Sequence, residues 1–384
     1  MKNVMRYILM CVISLFAFSS CDIHEFPNPE SGELVPFTLH LNFHTEREFH
    51  KEFTYTRNGD VTEGTSTDGI TIDSATKTPY ELHCFRYVIK AYRTDVLKNE
   101  NRVADTTFVF TRNNYEDTFN HTLTLELPEG QYDLRAWCDF VDIGSTEDKY
   151  YDTRDFSKIT LLNDGGKNHS GGNDYREAYR GLVPVTVTNP KYYSGDIVET
   201  FDNEATIEMN SPMGKYEVIS TDVEAFLTRV IQMMQLKGEL NSIGSSPSFE
   251  QMLQSVNLED YQIEVSYPQY MPYQYNLFTD KAGDSQFQSV SYRSPMRLQN
   301  NNTEMLLGHD LVFVNTSTGN YVSVMVRVLD KDDNELSRSN SVDLQLMQGK
   351  YTIAKGEFLT SQATGGAVIN PGYDGPDYNV PVDL

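Results

Sequence analysis

The chain has 384 residues and carries 31 basic against 55 acidic side chains, a net charge of −24. That balance excludes nucleic acid as a partner, because phosphate binding needs clustered Lys and Arg. The 24 Tyr and 20 Phe exclude acidic disorder, since disordered acidic chains are poor in aromatics.

Lys2 and Arg6 form a basic start, Tyr7 to Phe18 is an apolar run too short to span a bilayer, and Ser19-Ser20 supply small residues before Cys21. This order predicts a lipoprotein signal peptide over residues 1–20, with Cys21 as the lipidated first residue of the mature chain. The plainer alternative is a secretory peptide with Cys21 near its cut. Acyl chains on Cys21, palmitate among them, would hold the N-terminus in a membrane. Asp22 directly after Cys21 marks inner-membrane retention in some bacteria, but that sorting rule is not general. The expected place is the outer membrane, with the globular part at the cell surface.

Removal of the signal leaves 364 residues, enough for two domains, and 29 basic against 55 acidic side chains, a net charge of −26. Cys84 and Cys138 are then the cysteines left in the folded part. A disulfide framework is absent, and two buried free thiols are expected ahead of one bridge.

Residues 21–33, with Pro27 and Pro29, read as a tether. From Leu34 to His44, Phe37, Leu39, Leu41 and Phe43 alternate with Thr38, His40, Asn42 and His44, the period-two pattern of a half-buried strand. Residues 58–78 read as a long loop. Strands are predicted over 80–93, 106–111, 121–127, 131–141 and 182–187, with a glycine-rich mobile loop over 163–173. Thr221 and Glu224 suggest a capping box opening a core-packing helix in which Val223, Phe226, Leu227, Val230, Ile231, Met234 and Leu236 follow helical spacing. Ser248 and Gln251 suggest a shorter helix through Leu253. Further strands are predicted over 261–267, 310–315, 320–329, 341–347 and 350–359. Many short strands with scarce helix mean an all-β chain with minor helix, built as two antiparallel β-sandwich domains. The domains are expected over 34–204 and 205–384.

Five segments carry a resemblance: Leu127 to Asp142, Tyr150 to Phe156, Lys215 to Asp222, Tyr267 to Phe278 and Gly365 to Val380. In this order they resemble the fimbrillin-like surface lipoproteins of Gram-negative anaerobes, over nearly the whole mature chain. The resemblance implies two tandem transthyretin-like sandwiches and a role as subunit, anchor or accessory protein of type V pili. Partners would be other fimbrillin-like subunits joined by donor-strand insertion, with a host or bacterial surface ligand for adhesion. It also implies proteolysis after a basic residue beyond the first strand; Arg47, Lys51 and Arg57 stand there, and Arg47 and Arg57 are the candidate processing sites. The chain departs from the family pattern at Asp174 to Tyr179 and at Ser211 to Gly214, which lacks an arginine.

Other candidate chemistry reads as structure. Asp330, Asp332 and Asn334 alternate as in a calcium loop, but Glu335 occupies the glycine position and Ser341 the final glutamate position, so a hairpin turn is expected. His40 and His44 share a strand face with Asn42, two imidazoles short of a zinc site. No nucleophile elbow, phosphate loop or zinc-protease motif is present, so no catalytic residue, cofactor or metal ligand is assigned. Trp137 is expected to be packed. Tyr267, Tyr270, Tyr273 and Tyr275, with Pro268 and Pro272, suggest an aromatic loop, the place to look for a rival role in glycan capture.

Overall fold

The computed structural model describes residues 33–45, 48–55, 61–64, 83–94, 104–112, 121–162, 169–193, 196–240, 247–283, 286–299, 303–315 and 319–361. Strands dominate, with α-helices at Val223–Leu236 and Phe249–Ser255, as expected of an all-β chain with minor helix.

The first sheet has seven strands in the order Thr106–Arg112, His83–Arg93, Gly130–Asp142, Tyr179–Val187, Glu204–Asn210, Leu34–His44 and His121–Pro128. It folds over on itself. Phe43 lies 5.5 Å from Phe85 and 6.2 Å from Tyr87 between ring centroids, although three strands separate their own strands in the sheet. The space so enclosed is filled by alternate residues of each strand, among them Leu39, Ile89, Leu125, Leu134 and Ile207.

A second core lies between two further sheets. One runs Arg297–Leu298, Met305–Phe313, Met213–Ser220, Lys350–Gly356, Glu48–Tyr55, Val61–Gly64. The other runs Gln286–Pro295, Tyr261–Pro272, Asn320–Asp330, Glu335–Arg338, with Val342–Leu346 also on Asn320–Asp330. Val218, Val265, Leu307 and Val324 pack between them, and the long helix adds Phe226, Leu227 and Val230. Trp137 and Val88, on the other face of the first sheet, join this core through Tyr151, Phe156 and Tyr275.

Hydrogen bonding crosses residue 204 in both directions. Glu204–Asn210 completes the first sheet, whereas Glu48–Tyr55 lies in the second, beside Lys350–Gly356. Ile159–Leu161 pairs with Gln274–Asn276 in a small sheet between the two cores. Among the described residues, pairing is antiparallel except at three places: Leu34–His44 with Glu204–Asn210, and Lys350–Gly356 with both Met213–Ser220 and Glu48–Tyr55. All three join strands far apart in sequence, as parallel pairs must, because no tight turn can connect them.

Three local expectations are corrected. The Thr221–Glu224 capping box does not form; Asp222 is the N-cap, and its carboxylate accepts from the Leu359 and Thr360 N–H groups instead of the helix. The tyrosine-rich stretch is strand rather than loop: Tyr267 lies on Tyr261–Pro272 and Tyr275 on Gln274–Asn276, and both are fully buried because alternate side chains must face the core. In the glycine-rich loop, residues 163–168 lie outside the described residues and 169–173 are packed. A Cβ on Gly171 would lie 2.3 Å from the Tyr292 ring, so a side chain is excluded there. The Ser248–Gln251 capping box forms as expected and opens the short helix.

Candidate functional site

The strand Leu34–His44 is hydrogen-bonded on both edges. Leu34 to Leu41 pair antiparallel with Pro128 to His121, and Thr38 to His44 pair parallel with Glu204 to Asn210. Its inward side chains, Val35, Phe37, Leu39, Leu41 and Phe43, are 0–8 % exposed. Among the described residues, the strand His121–Pro128 has the first strand as its one sheet neighbour. Removing Leu34–His44 would therefore leave two walls of unpaired backbone with an apolar trench between them. The parallel wall is held close: a Cβ on Gly181 would meet Ile207 Cγ2 at 2.3 Å and the Glu208 carbonyl at 2.5 Å.

The outer edge of the same strand is polar. Asn42 Nδ2 donates to Glu208 Oε2 at 2.7 Å, and His44 Nε2 lies 2.7 Å from the same oxygen. His40 bonds Thr122 across the antiparallel wall at 3.0 Å and stands 3.8 Å from Glu204. The two histidines thus form an exposed polar face with carboxylate and hydroxyl partners, as their alternation predicts.

Two buried ion pairs stand out: Arg176–Asp310 links the segment before Tyr179–Val187 to the second sheet, and Arg86–Asp139 joins neighbouring strands of the first sheet. Arg176 pairs with Asp310 and also donates to the Leu311 carbonyl at 3.0 Å. Asp310 further accepts from Tyr267 at 2.6 Å, and His169 Nε2 lies 2.6 Å from it. Burial would raise the Asp310 carboxyl, but Arg176 and His169 outweigh it and hold the group below the usual carboxylate range. Arg86 grips Asp139 through two bonds of 2.9 and 2.7 Å, and Trp137 Nε1 donates to Asp139 at 3.2 Å. These groups anchor structure: each polar side chain points at a protein partner.

Cys21, Arg47 and Arg57, the candidate lipidation and processing residues, lie outside the described residues. Cys84 and Cys138 are buried free thiols, so the bridge is not formed. Asp330 closes a turn by accepting from the Asp332 and Asn334 N–H groups at 2.9 Å each, the hairpin expected in place of a calcium loop. Trp137 is fully buried, as are Tyr267 and Tyr275; Tyr270 is exposed. Among the described residues, no group of three or more His, Cys, Asp or Glu is placed to hold a metal ion, and no helix is long and apolar enough to cross a membrane. The parallel wall, Glu204–Asn210, is a strand of the candidate site that the sequence reading missed. Its alternation of Glu204, Thr206 and Glu208 with Ala205, Ile207 and Met209 was the available signal.

No curated protein matches the sequence. Among solved structures, the chain is similar to the fimbrial anchor protein Mfa2 from Porphyromonas gingivalis at 11 % identity and a TM-score of 0.34, covering 79 % of this chain and 82 % of that one. It is similar to a candidate polysaccharide-binding protein (DUF1812) from Bacteroides thetaiotaomicron at 10 % identity and a TM-score of 0.36, with 79 % of each chain covered. A candidate cell adhesion protein from Bacteroides eggerthii is similar at 11 % identity and a TM-score of 0.37, covering 90 % of this chain and 93 % of that one. At these scores and identities the likenesses fix neither a shared fold nor a shared role. A family model matches residues 35–383, nearly the whole chain, and the protein belongs to that family, a family of unknown function (DUF6562).

Proposed function

We propose that this chain is a lipid-anchored cell-surface protein that serves as a subunit, anchor or accessory protein of a fimbrium. In this reading Cys21 carries the lipid, other fimbrillin-like subunits are the partners, and strand insertion joins them. One observation carries it: Leu34–His44 fills a slot between two strands, and its inner face plugs the first core. Burial of five large apolar side chains contributes about 8–15 kcal/mol. That is the size of a whole domain's stability, about 5–15 kcal/mol, so a form without this strand needs a replacement.

The order of five family-like segments in the sequence supports the same reading. Arg47 and Arg57 follow the first strand, where a trypsin-like cut would free it. The test is to determine the N-terminus of the cell-surface form and ask whether trimmed protein polymerises. A strand-exchanging subunit begins after Arg47 or Arg57 and polymerises, alone or with a partner subunit that supplies the strand. If all surface material begins at Cys21 and the trimmed form merely unfolds, strand exchange by this chain is refuted and an anchor or accessory role stands.

A further inference from the structure

We infer that the slot filled by Leu34–His44 selects its occupant by charge as well as by shape, and takes a strand that carries basic, imidazole or amide side chains along its outer edge. This rests on the strand-exchange reading and names the kind of partner it would admit.

The inner face of the slot offers five apolar positions, now held by Val35, Phe37, Leu39, Leu41 and Phe43. Any alternating apolar strand meets that requirement, so the inner face alone selects weakly. The outer face differs. Along the parallel wall, Glu204 stands opposite Thr38 and Glu208 opposite Asn42, and both carboxylates project to the exposed side. Three of the four outward residues of the resident strand from Thr38 onward carry nitrogen: His40, Asn42 and His44. Asn42 and His44 converge on one oxygen of Glu208 at 2.7 Å each, and His40 faces Glu204. The antiparallel wall offers Thr122 and no basic side chain to these carboxylates. Like charges opposite one another in a sheet are unfavourable and opposite charges favourable, so an acidic outer edge is penalised here.

The chain's own segment Tyr378 to Leu384 meets this requirement less well, with one amide, Asn379, and one carboxylate, Asp383, on the face opposite its apolar residues. Tyr378, Val380, Val382 and Leu384 alternate with Asn379, Pro381 and Asp383. With Val380, Val382 and Leu384 turned inward, such a strand would set Asp383 along the acidic wall. The favoured occupant is a strand of another protein with a nitrogen-bearing outer edge.

The test uses the mature chain with a protease site inserted after Thr45, cut but with every residue present. Fluorescent peptides compete for the slot: the Leu34–His44 sequence, the same peptide with H40E and H44E, and the last eleven residues of the chain. At ~10 mM salt the Leu34–His44 peptide should exchange in, and the two acidic peptides should bind at least about tenfold more weakly. For the H40E/H44E peptide the gap should narrow at ~1 M salt, where the screening length falls to about 3 Å. In an E204Q/E208Q chain it should close without salt. If the Leu34–His44 peptide exchanges and the H40E/H44E peptide binds equally well, charge selection is wrong while strand exchange survives. Tight binding by the C-terminal peptide likewise overturns the selection. If no peptide exchanges, the strand-exchange reading itself falls.

Discussion

Arg176 and Asp310 form an ion pair sealed inside the protein, 2 % and 1 % exposed, with Arg176 on the segment that leads into strand Tyr179–Val187 and Asp310 on a strand of the second sheet. Together with the Gly172 N–H bond to the His309 carbonyl at 2.9 Å, it fixes the first core against the second. A groove that opens in the first core therefore does so against a braced neighbour.

Breaking that brace from one side should be costly, because the remaining charge is left buried and unpaired. Asp310→Asn and Arg176→Met should each cost about 3–5 kcal/mol in urea unfolding. The double variant should cost clearly less than the sum of the two. Strict additivity would show that the pair is not an energetic unit.

The same cluster sets a pH dependence. Burial lowers the His169 pKa and Arg176 lowers it further, against the pull of Asp310. A neutral His169 in the fold means that the unfolded chain gains a proton first as pH falls below about 6.5. Stability should then drop with acidification by up to about 1.4 kcal/mol per pH unit. His169→Gln removes this titration, so its stability should fall less steeply between about pH 6.5 and 5. Parallel slopes for the two proteins in urea midpoints would refute the assignment.

Asp222 offers a separate test. It accepts from the Leu359 N–H at 3.2 Å, the Thr360 N–H at 2.8 Å and the Thr360 hydroxyl at 2.6 Å, and so clamps the chain where it leaves the last described strand. Asp222→Ala should cost about 1–3 kcal/mol, the penalty of unsatisfied buried donors. Hydrogen exchange should speed up at Leu359 and Thr360 first. Unchanged exchange at both amides would mean that the clamp is idle.

Burial raises the thiol pKa at both Cys84 and Cys138. The Cys84 and Cys138 thiols should therefore resist an aromatic disulfide reagent in native buffer and react once the protein is unfolded. Fast native reaction at either site would contradict the packing around it.

Much of this architecture is legible in the sequence wherever one rule suffices. Period-two alternation exposes Leu34–His44, and Ser248 with Gln251 marks the short helix, because local chemistry settles both. Sheet membership is another matter. Nothing in Glu48–Tyr55 tells that it leaves the first sheet to lie beside Lys350–Gly356, since parallel partners hundreds of residues apart leave no local trace. The capping box at Thr221 failed for a similar reason: a distant segment, Leu359-Thr360, claimed the Asp222 carboxylate. His169, Arg176 and Asp310 look like ordinary surface residues until the fold brings them together.

That distant placement of Glu48–Tyr55 separates the two candidate processing sites. A cut after Arg47 detaches the strand that closes the first core and leaves Glu48–Tyr55 bonded to Lys350–Gly356. A cut after Arg57 detaches Glu48–Tyr55 as well, removes the partner that Val61–Gly64 has among the described residues, and turns Lys350–Gly356 into an open edge. Chains with a cut engineered at one site or the other should therefore differ in hydrogen exchange. The first should lose protection along His121–Pro128 and Glu204–Asn210; the second should lose it there and along one edge of Lys350–Gly356. Only the first keeps the second core sealed, so processing that serves strand exchange in one groove should fall at Arg47. Identical exchange maps for the two cut chains would sink this distinction, because Glu48–Tyr55 would then contribute nothing to the second sheet.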